Sequence, residues 1–256
     1  MFTHIWKKEI QGELYTWKST LWLLISSLLF SVTCYLLLTN KELSLLDQTE
    51  LLWLLGKVII GVGLLVVTVD ASSIITTEFE KETAESIFLS PLSLTDFILG
   101  KLLASLTLWC AIFLVSIPYI IVASAGSNLV IPFLLYTALL GTLGVLGFVF
   151  LVFAFSFFFR SSKNTLTTGL IILLGLSIPA VFSSTLKNDA VSQILSHVNP
   201  IDNIFSSLDN VLVDYKTSLL ENWQFIIPLV VFCLLSFALL AFAMRQFERQ
   251  GVMQSE

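Results

Sequence analysis

The chain has 256 residues, 56% of them hydrophobic and 12% charged, with a mean hydropathy of +0.92 and a formal net charge of −5. A charged share about half that of an ordinary soluble domain excludes a water-soluble globule, and the scattered Lys and Arg exclude a nucleic-acid surface. Several apolar runs reach the roughly 20 residues that cross about 30 Å of hydrocarbon, so the chain reads as a single all-α, polytopic membrane domain.

The first predicted element is an interface helix over residues 1–18. Phe2, Trp6, Ile10, Leu14 and Trp17 share a narrow arc at 100° per residue, with Lys7, Lys8, Gln11, Glu13 and Lys18 away from it. That pattern suits a helix lying in the headgroup layer, or one packed on a soluble partner. The next run, Ser19–Leu38, is too long for the apolar part of a signal peptide and no small-residue cleavage pattern follows, so it reads as a retained span.

Five further spans follow: Leu51–Thr76, Phe97–Ala123, Leu129–Phe159, Thr165–Phe182 and Phe225–Met244. The second holds two ionisable residues, Lys57 and Asp70, about 20 Å apart along a helix and so unable to pair with each other. Lys57 can snorkel outward. Asp70 either faces a hydrated path or marks the inner interface. The fourth span would measure about 46 Å if straight, so it must tilt, project into water or break near Pro132. Its Gly141, Gly144 and Gly147 follow no strand and suit close helix packing, not a phosphate loop. Cys34, Cys110 and Cys233 fall in three different spans and form no spaced metal or redox motif.

Lysine and arginine asymmetry orients these spans. With the N-terminus in the cytoplasm, the inner segments hold Lys7, Lys8, Lys18, Lys81, Lys101, Arg160, Lys163, Arg245 and Arg249. The outer loops hold only Lys41, Lys187 and Lys216. Nine against three predicts six spans with both termini cytoplasmic. The large outer loop, residues 183–224, mixes apolar and acidic residues. Its "HVNPIDNIFSSLDNVL" predicts a helix after an Asn-Pro turn, either re-entrant in the outer leaflet or part of a surface cap.

The chain lacks G-x-x-x-x-G-K-[ST], so it has no phosphate loop for ATP. Its two histidines, His4 and His197, lie far apart, and no zinc motif or intramembrane nucleophile–base pair is present. A conduit or scaffold driven by another protein is the simplest expectation, and an enzyme is not expected.

The stretch "EFEKETAESIFLSPLSLTDFILGK", Glu78–Lys101, carries seven charges in 24 residues between two spans. On the topology above it is cytoplasmic. Glu78–Leu89 has helical spacing, with Phe79, Thr83 and Ile87 on one side, and Pro91 ends it. A short helix fixed between two spans is a lever that a soluble partner can grip, though an ordinary solvated loop accounts for the same residues.

Here the sequence resembles the permease subunits of ABC-2 type transporters. Those carry, after the second span, a pattern close to E-x-E-x-G-T-x-E-x-L-L-x-x-P-L-S followed by an apolar stretch and G-K. This chain has Glu78, Glu80, Thr83, Glu85, Pro91, Leu92 and Ser93, then Gly100 and Lys101. Two positions depart from it: Glu82 stands where the family usually has Gly, and Ile87 where Leu is common.

The resemblance implies a permease, expected to export, that pairs with itself or a homologous permease. It would sit in the cell membrane over two copies of an ATP-binding subunit, which would bind the ATP and Mg; this chain would hold no cofactor of its own. The loop at 78–91 would be the coupling helix, through Glu78, Phe79, Glu80, Thr83, Glu85, Ile87, Pro91 and Ser93, with Gly100 and Lys101 completing the motif. The second and fifth spans would form the path, which nominates Asp70, Ser72, Ser73, Thr167, Thr168 and Ser177. An ion-driven transporter and a non-transporting scaffold are the alternatives.

Overall fold

The computed structural model describes residues 16–39, 48–81, 94–125, 128–181, 198–214 and 221–253. The expected interface helix, apart from its last residues, lies outside them, as does the stretch 82–93. Within the described residues all regular structure is helical, as hydrocarbon demands of a chain whose backbone polar groups must pair internally.

Six long helices fall on the six expected spans: α1 Trp17–Thr39, α2 Gln48–Ile74, α4 Leu94–Ala123, α5 Val130–Phe159, α6 Ser162–Val181 and α8 Trp223–Met253. Two short ones join them, α3 Thr76–Glu80 and α7 Pro200–Leu212. Five of the long helices have the length and composition to cross a membrane, which makes this a multi-pass membrane protein. The other, α6, is the shortest at 20 residues and carries Lys163 and Asn164 in its first turn.

α5 runs unbroken through 30 residues. Pro132 sits in its first turn, where a backbone N–H has no intrahelical partner, so the proline costs nothing there. The helix ends at Arg160, whose φ of 50° is left-handed.

α5 is the axis of the bundle. α8 lies along it, α2 packs on it, α4 and α6 flank it, and α1 sits outside against α4 and α2. The closest approach is built on glycine. Trp109 of α4, 1% exposed, fills a slot between Gly63 and Gly141, where a Cβ would lie 2.2 Å and 2.4 Å from its ring. Its indole N–H donates to Thr142 Oγ1 at 3.0 Å. Gly144 likewise receives Ile204, and Gly147 receives Phe232. The glycines expected to serve packing therefore each accept a different knob.

α7 follows the Asn-Pro turn read from the sequence. Asn199 Oδ1 accepts the N–H of Ile201 at 3.0 Å and Pro200 opens the helix, a pre-set φ after a side-chain cap. The helix wedges among α2, α5, α6 and α8, with Ile204 against Gly144 at the middle of α5 and Leu208 beside Gly56.

Polar side chains in this wedge are paired. Asn222 Oδ1 accepts from Asn210 at 3.0 Å and from Ser207 at 3.4 Å, and Asn222 Nδ2 reaches Tyr136 Oη at 3.5 Å. Asn199 Nδ2 donates to the Leu176 carbonyl at 2.7 Å. On α2, Trp53 donates to the Phe205 carbonyl at 3.0 Å, and Lys57 Nζ stands 3.4 Å from the Trp53 ring centre. Lys57 thus points back one turn toward Gln48, in the direction expected of a snorkelling lysine.

Candidate functional site

The opposite end of the bundle gathers most of the charged residues singled out in the sequence. α2 turns at Ile75 and continues as α3, so the segment leaving the membrane-length helix is itself helical as far as Glu80. Lys81 then departs from helical geometry, with ψ near 2°. Of the helix expected over Glu78–Leu89, the described residues thus show only Glu78–Glu80 as helical. Thr83, Glu85, Ile87, Pro91 and Ser93 lie outside the described residues.

Four side chains of α3 tie it to the rest of the bundle. Phe79 is the apolar one: its ring lies 5.8 Å from that of Phe157 and 5.5 Å from that of Phe247, and those two rings are 5.5 Å apart. Three aromatic rings from α3, α5 and α8 thus close on one another, at spacings that favour tilted and edge-on pairs. Phe79 is thus anchored on the long helices.

Glu78 lies 3.4 Å from Lys101 Nζ, whose side chain is only 8% exposed. A lysine this covered keeps its charge at low cost only with an acid beside it. Gly100 next to it is also buried. Glu80 Oε1 accepts the backbone N–H of Ser162 at 2.7 Å, which places a carboxylate at the first turn of α6. Thr76 and Ser162 hydroxyls meet at 2.6 Å. The guanidinium of Arg160 stands 5.2 Å from the Phe247 ring centre.

Asp70, 1% exposed, is met by a residue that sequence spacing did not suggest. Lys18, at the start of α1, donates to Asp70 Oδ1 and to Ser73 Oγ, both at 2.8 Å. Asp70 Oδ2 is buried without a hydrogen-bond partner among the described residues. Ser72 and Ser73 turn their hydroxyls back to the carbonyls of Val69 and Asp70. So Asp70 and Ser73 share one cation, while Ser72 sits on the other side of α2.

On α6 the nominated hydroxyls differ in exposure and partner. Thr167 is exposed and bonds the Lys163 carbonyl, Thr168 is half-buried, and Ser177 bonds the Leu173 carbonyl farther along the helix. The face against α2 carries Ser162, Thr165 and Gly169, and the Gly169 position lies 3.3 Å from the Thr68 methyl. α2 answers with Thr68 and Ser72, and α3 with Thr76, one turn apart and all buried. Thr68 and Thr165 keep their hydroxyls without a partner among the described residues. Two series of small residues at helical spacing meet there, a pattern the sequence carries and polarity alone does not pick out.

Among the described residues no three His, Cys, Asp or Glu side chains come together as a metal site. A family model described as "ABC-2 family transporter protein" matches residues 38–242. No curated protein matches the chain.

Proposed function

Because the chain belongs to the ABC-2 family of transporter proteins, as a permease domain and not an enzyme, we propose that it exports a substrate with ATP hydrolysed by a separate subunit. Two such subunits would dock beneath a dimer of this permease, or of this and a homologous one, and would carry the ATP and Mg. α3 and the residues after it, through Pro91, are the docking element. The observation that carries this is the anchorage of α3: Phe79 on α5 and α8, Glu78 on α4, and Glu80 on α6. A partner that grips residues 82–91 pulls on four helices at once.

In this reading all six long helices span, with both termini in the cytoplasm. α7 is then re-entrant from the outer side, supported by its seat at mid-α5. The path runs along α2 and α6, and Thr68, Thr76, Ser162 and Thr165 join the earlier nominees as its lining. An ion-gradient transporter draws no support from Asp70, whose carboxylate is already neutralised by Lys18. The test is purification of the tagged chain in mild detergent. An ATPase bearing a phosphate loop should co-purify and turn over ATP. A chain that purifies without one, from cells expressing every neighbouring reading frame, overturns the reading.

A further inference from the structure

The outer faces of α5 and α8 part near the Arg160 end to leave a cleft of about 350 Å³, lined by Phe157, Phe158, Arg160, Ala243, Gln246 and Phe247. Its lining mixes a guanidinium and a carboxamide with aromatic rings and a methyl group. Beside it Phe158, Phe159 and Phe242 are 41%, 42% and 61% exposed. Fully apolar side chains this open on a membrane helix face acyl chains.

The cleft lies where the membrane-length runs give out. Arg245 and Arg249 neighbour its lining residues along α8, Lys163 follows Arg160 in the first turn of α6, and Glu248 and Glu80 are the acids among them. A cluster with this excess of cations at the end of a membrane bundle attracts anionic headgroups. The Arg160 backbone is left-handed, a conformation that costs a non-glycine residue and that the fold maintains here. It carries the guanidinium back over Phe247 and into the cleft rather than along the α5 axis.

We infer that this cleft seats an anionic phospholipid, its phosphate held by Arg160 and Gln246 and an acyl chain laid along Phe158. Guanidinium suits phosphate because its fork of donors can engage two oxygens at once. The occupant is a lipid and not a soluble anion because the cleft wall also carries hydrocarbon, from Phe157, Phe158, Ala243 and Phe247, that a free phosphate would leave uncovered. The site also bears on coupling as proposed above. Phe247 is at once a wall of the cleft and the ring on which Phe79 rests, so a bound headgroup stiffens the seat of α3.

The test uses the purified full-length chain and needs no ATPase, so its failure would leave the coupling assignment standing. The chain is exchanged into detergent with equal amounts of phosphatidylglycerol and phosphatidylcholine, and retained lipid is counted by native mass spectrometry. Phosphatidylglycerol should be kept about fivefold over phosphatidylcholine. Arg160→Gln should abolish the preference, and Ala243→Trp, which fills the cleft with every charge intact, should do the same. Lys57→Gln, at the other end of the bundle, should leave it. Equal retention of the two lipids by the parent overturns the proposal, as does a preference that survives both cleft variants. Displacement by millimolar inorganic phosphate would assign the site to a free anion. Retention that vanishes when two chains associate would assign the face to a second copy. Either outcome rejects a lipid seat.

Discussion

The Glu80 carboxylate accepts the backbone N–H of Ser162 at 2.7 Å. An acid that reads from sequence as facing a partner is turned inward, where it caps the fifth long helix. The arrangement has a physical logic: the first N–H groups of α6 have no partners within the helix, and a carboxylate both accepts from one and suits the positive end of the dipole. Because Glu80 is exposed, the cap contributes modestly, about 0.5–1 kcal/mol. Glu80→Gln should therefore keep most stability and most ATPase retention. Glu80→Lys sets a cation against the positive helix end beside Lys163, and should lower ATP turnover of the complex several-fold at matched expression. Equal turnover for both variants would separate this cap from coupling.

Phe79 offers a sharper test, since it joins α3 to α5 and α8 by rings alone. The residue is half-buried, so Phe79→Ala should cost about 2 kcal/mol, roughly half the figure for a fully buried ring. Phe79→Leu should cost less than half of that. The readout is the thermal midpoint in detergent alongside substrate-stimulated ATP turnover. Loss of stimulation in Phe79→Ala with basal turnover kept would mark α3 as the transmission element; parallel loss of both would make it a structural strut only.

The Trp109 slot makes a prediction about packing. A Cβ at Gly63 would fall 2.2 Å from the Trp109 ring and one at Gly141 would fall 2.4 Å from it. The ring is pinned from both sides and by its bond to Thr142, so it cannot step aside. Gly63→Ala should destabilise by about 1–3 kcal/mol through overpacking. Trp109→Leu should restore part of that loss in the double variant. A thermal midpoint for Gly63→Ala equal to the parent's would show that the bundle relaxes here more readily than its geometry implies.

How much of this was legible beforehand follows from what each signal encodes. Apolar run length reports the solvent of a helix, so the long helices and the cap at Asn199 could be read directly. Gly141, Gly144 and Gly147 announced close approach, but a missing Cβ carries no information about which knob arrives; Trp109, Ile204 and Phe232 had to be seen. Asp70 and Lys18 are 52 residues apart and on different helices. Their pairing depends on how α1 crosses α2, which no local pattern records. The seam on α6 was hidden for a related reason: Thr165 and Thr167 are equally polar, and only the packing of Gly169 on Thr68 decides which one is buried within the bundle.

That pairing gives a test of its own. Removing Lys18 strands a carboxylate that is 1% exposed, whereas neutralising Asp70 strands only a half-exposed ammonium that can turn to water. Lys18→Gln should therefore destabilise by about 2–3 kcal/mol, below the range for a fully buried pair because Lys18 is 41% exposed. Asp70→Asn should cost less, and the double variant should recover most of the Lys18→Gln loss. The order of the single variants in a thermal unfolding series checks the claim, and the reverse order would refute it.

The hydroxyl seam between α2 and α6 predicts opposite changes in stability and transport. Thr68 and Thr165 bury hydroxyls that have no partner among the described residues, a penalty of about 1–3 kcal/mol each in the packed state. Fold stability alone would favour valine, which has nearly the same shape and no unmet bond. A seam that opens during transport gains from hydroxyls, because water then meets the bonds the closed state leaves unmade. Thr165→Val should accordingly raise the thermal midpoint of the closed permease while lowering substrate-stimulated ATP turnover. A cysteine at 165, in a chain freed of Cys34, Cys110 and Cys233, should react with a water-soluble thiol reagent in one nucleotide state of the complex and resist it in the other. If valine stabilises without any loss of turnover, and the cysteine stays unreactive in every state, the seam is packing and the path lies elsewhere.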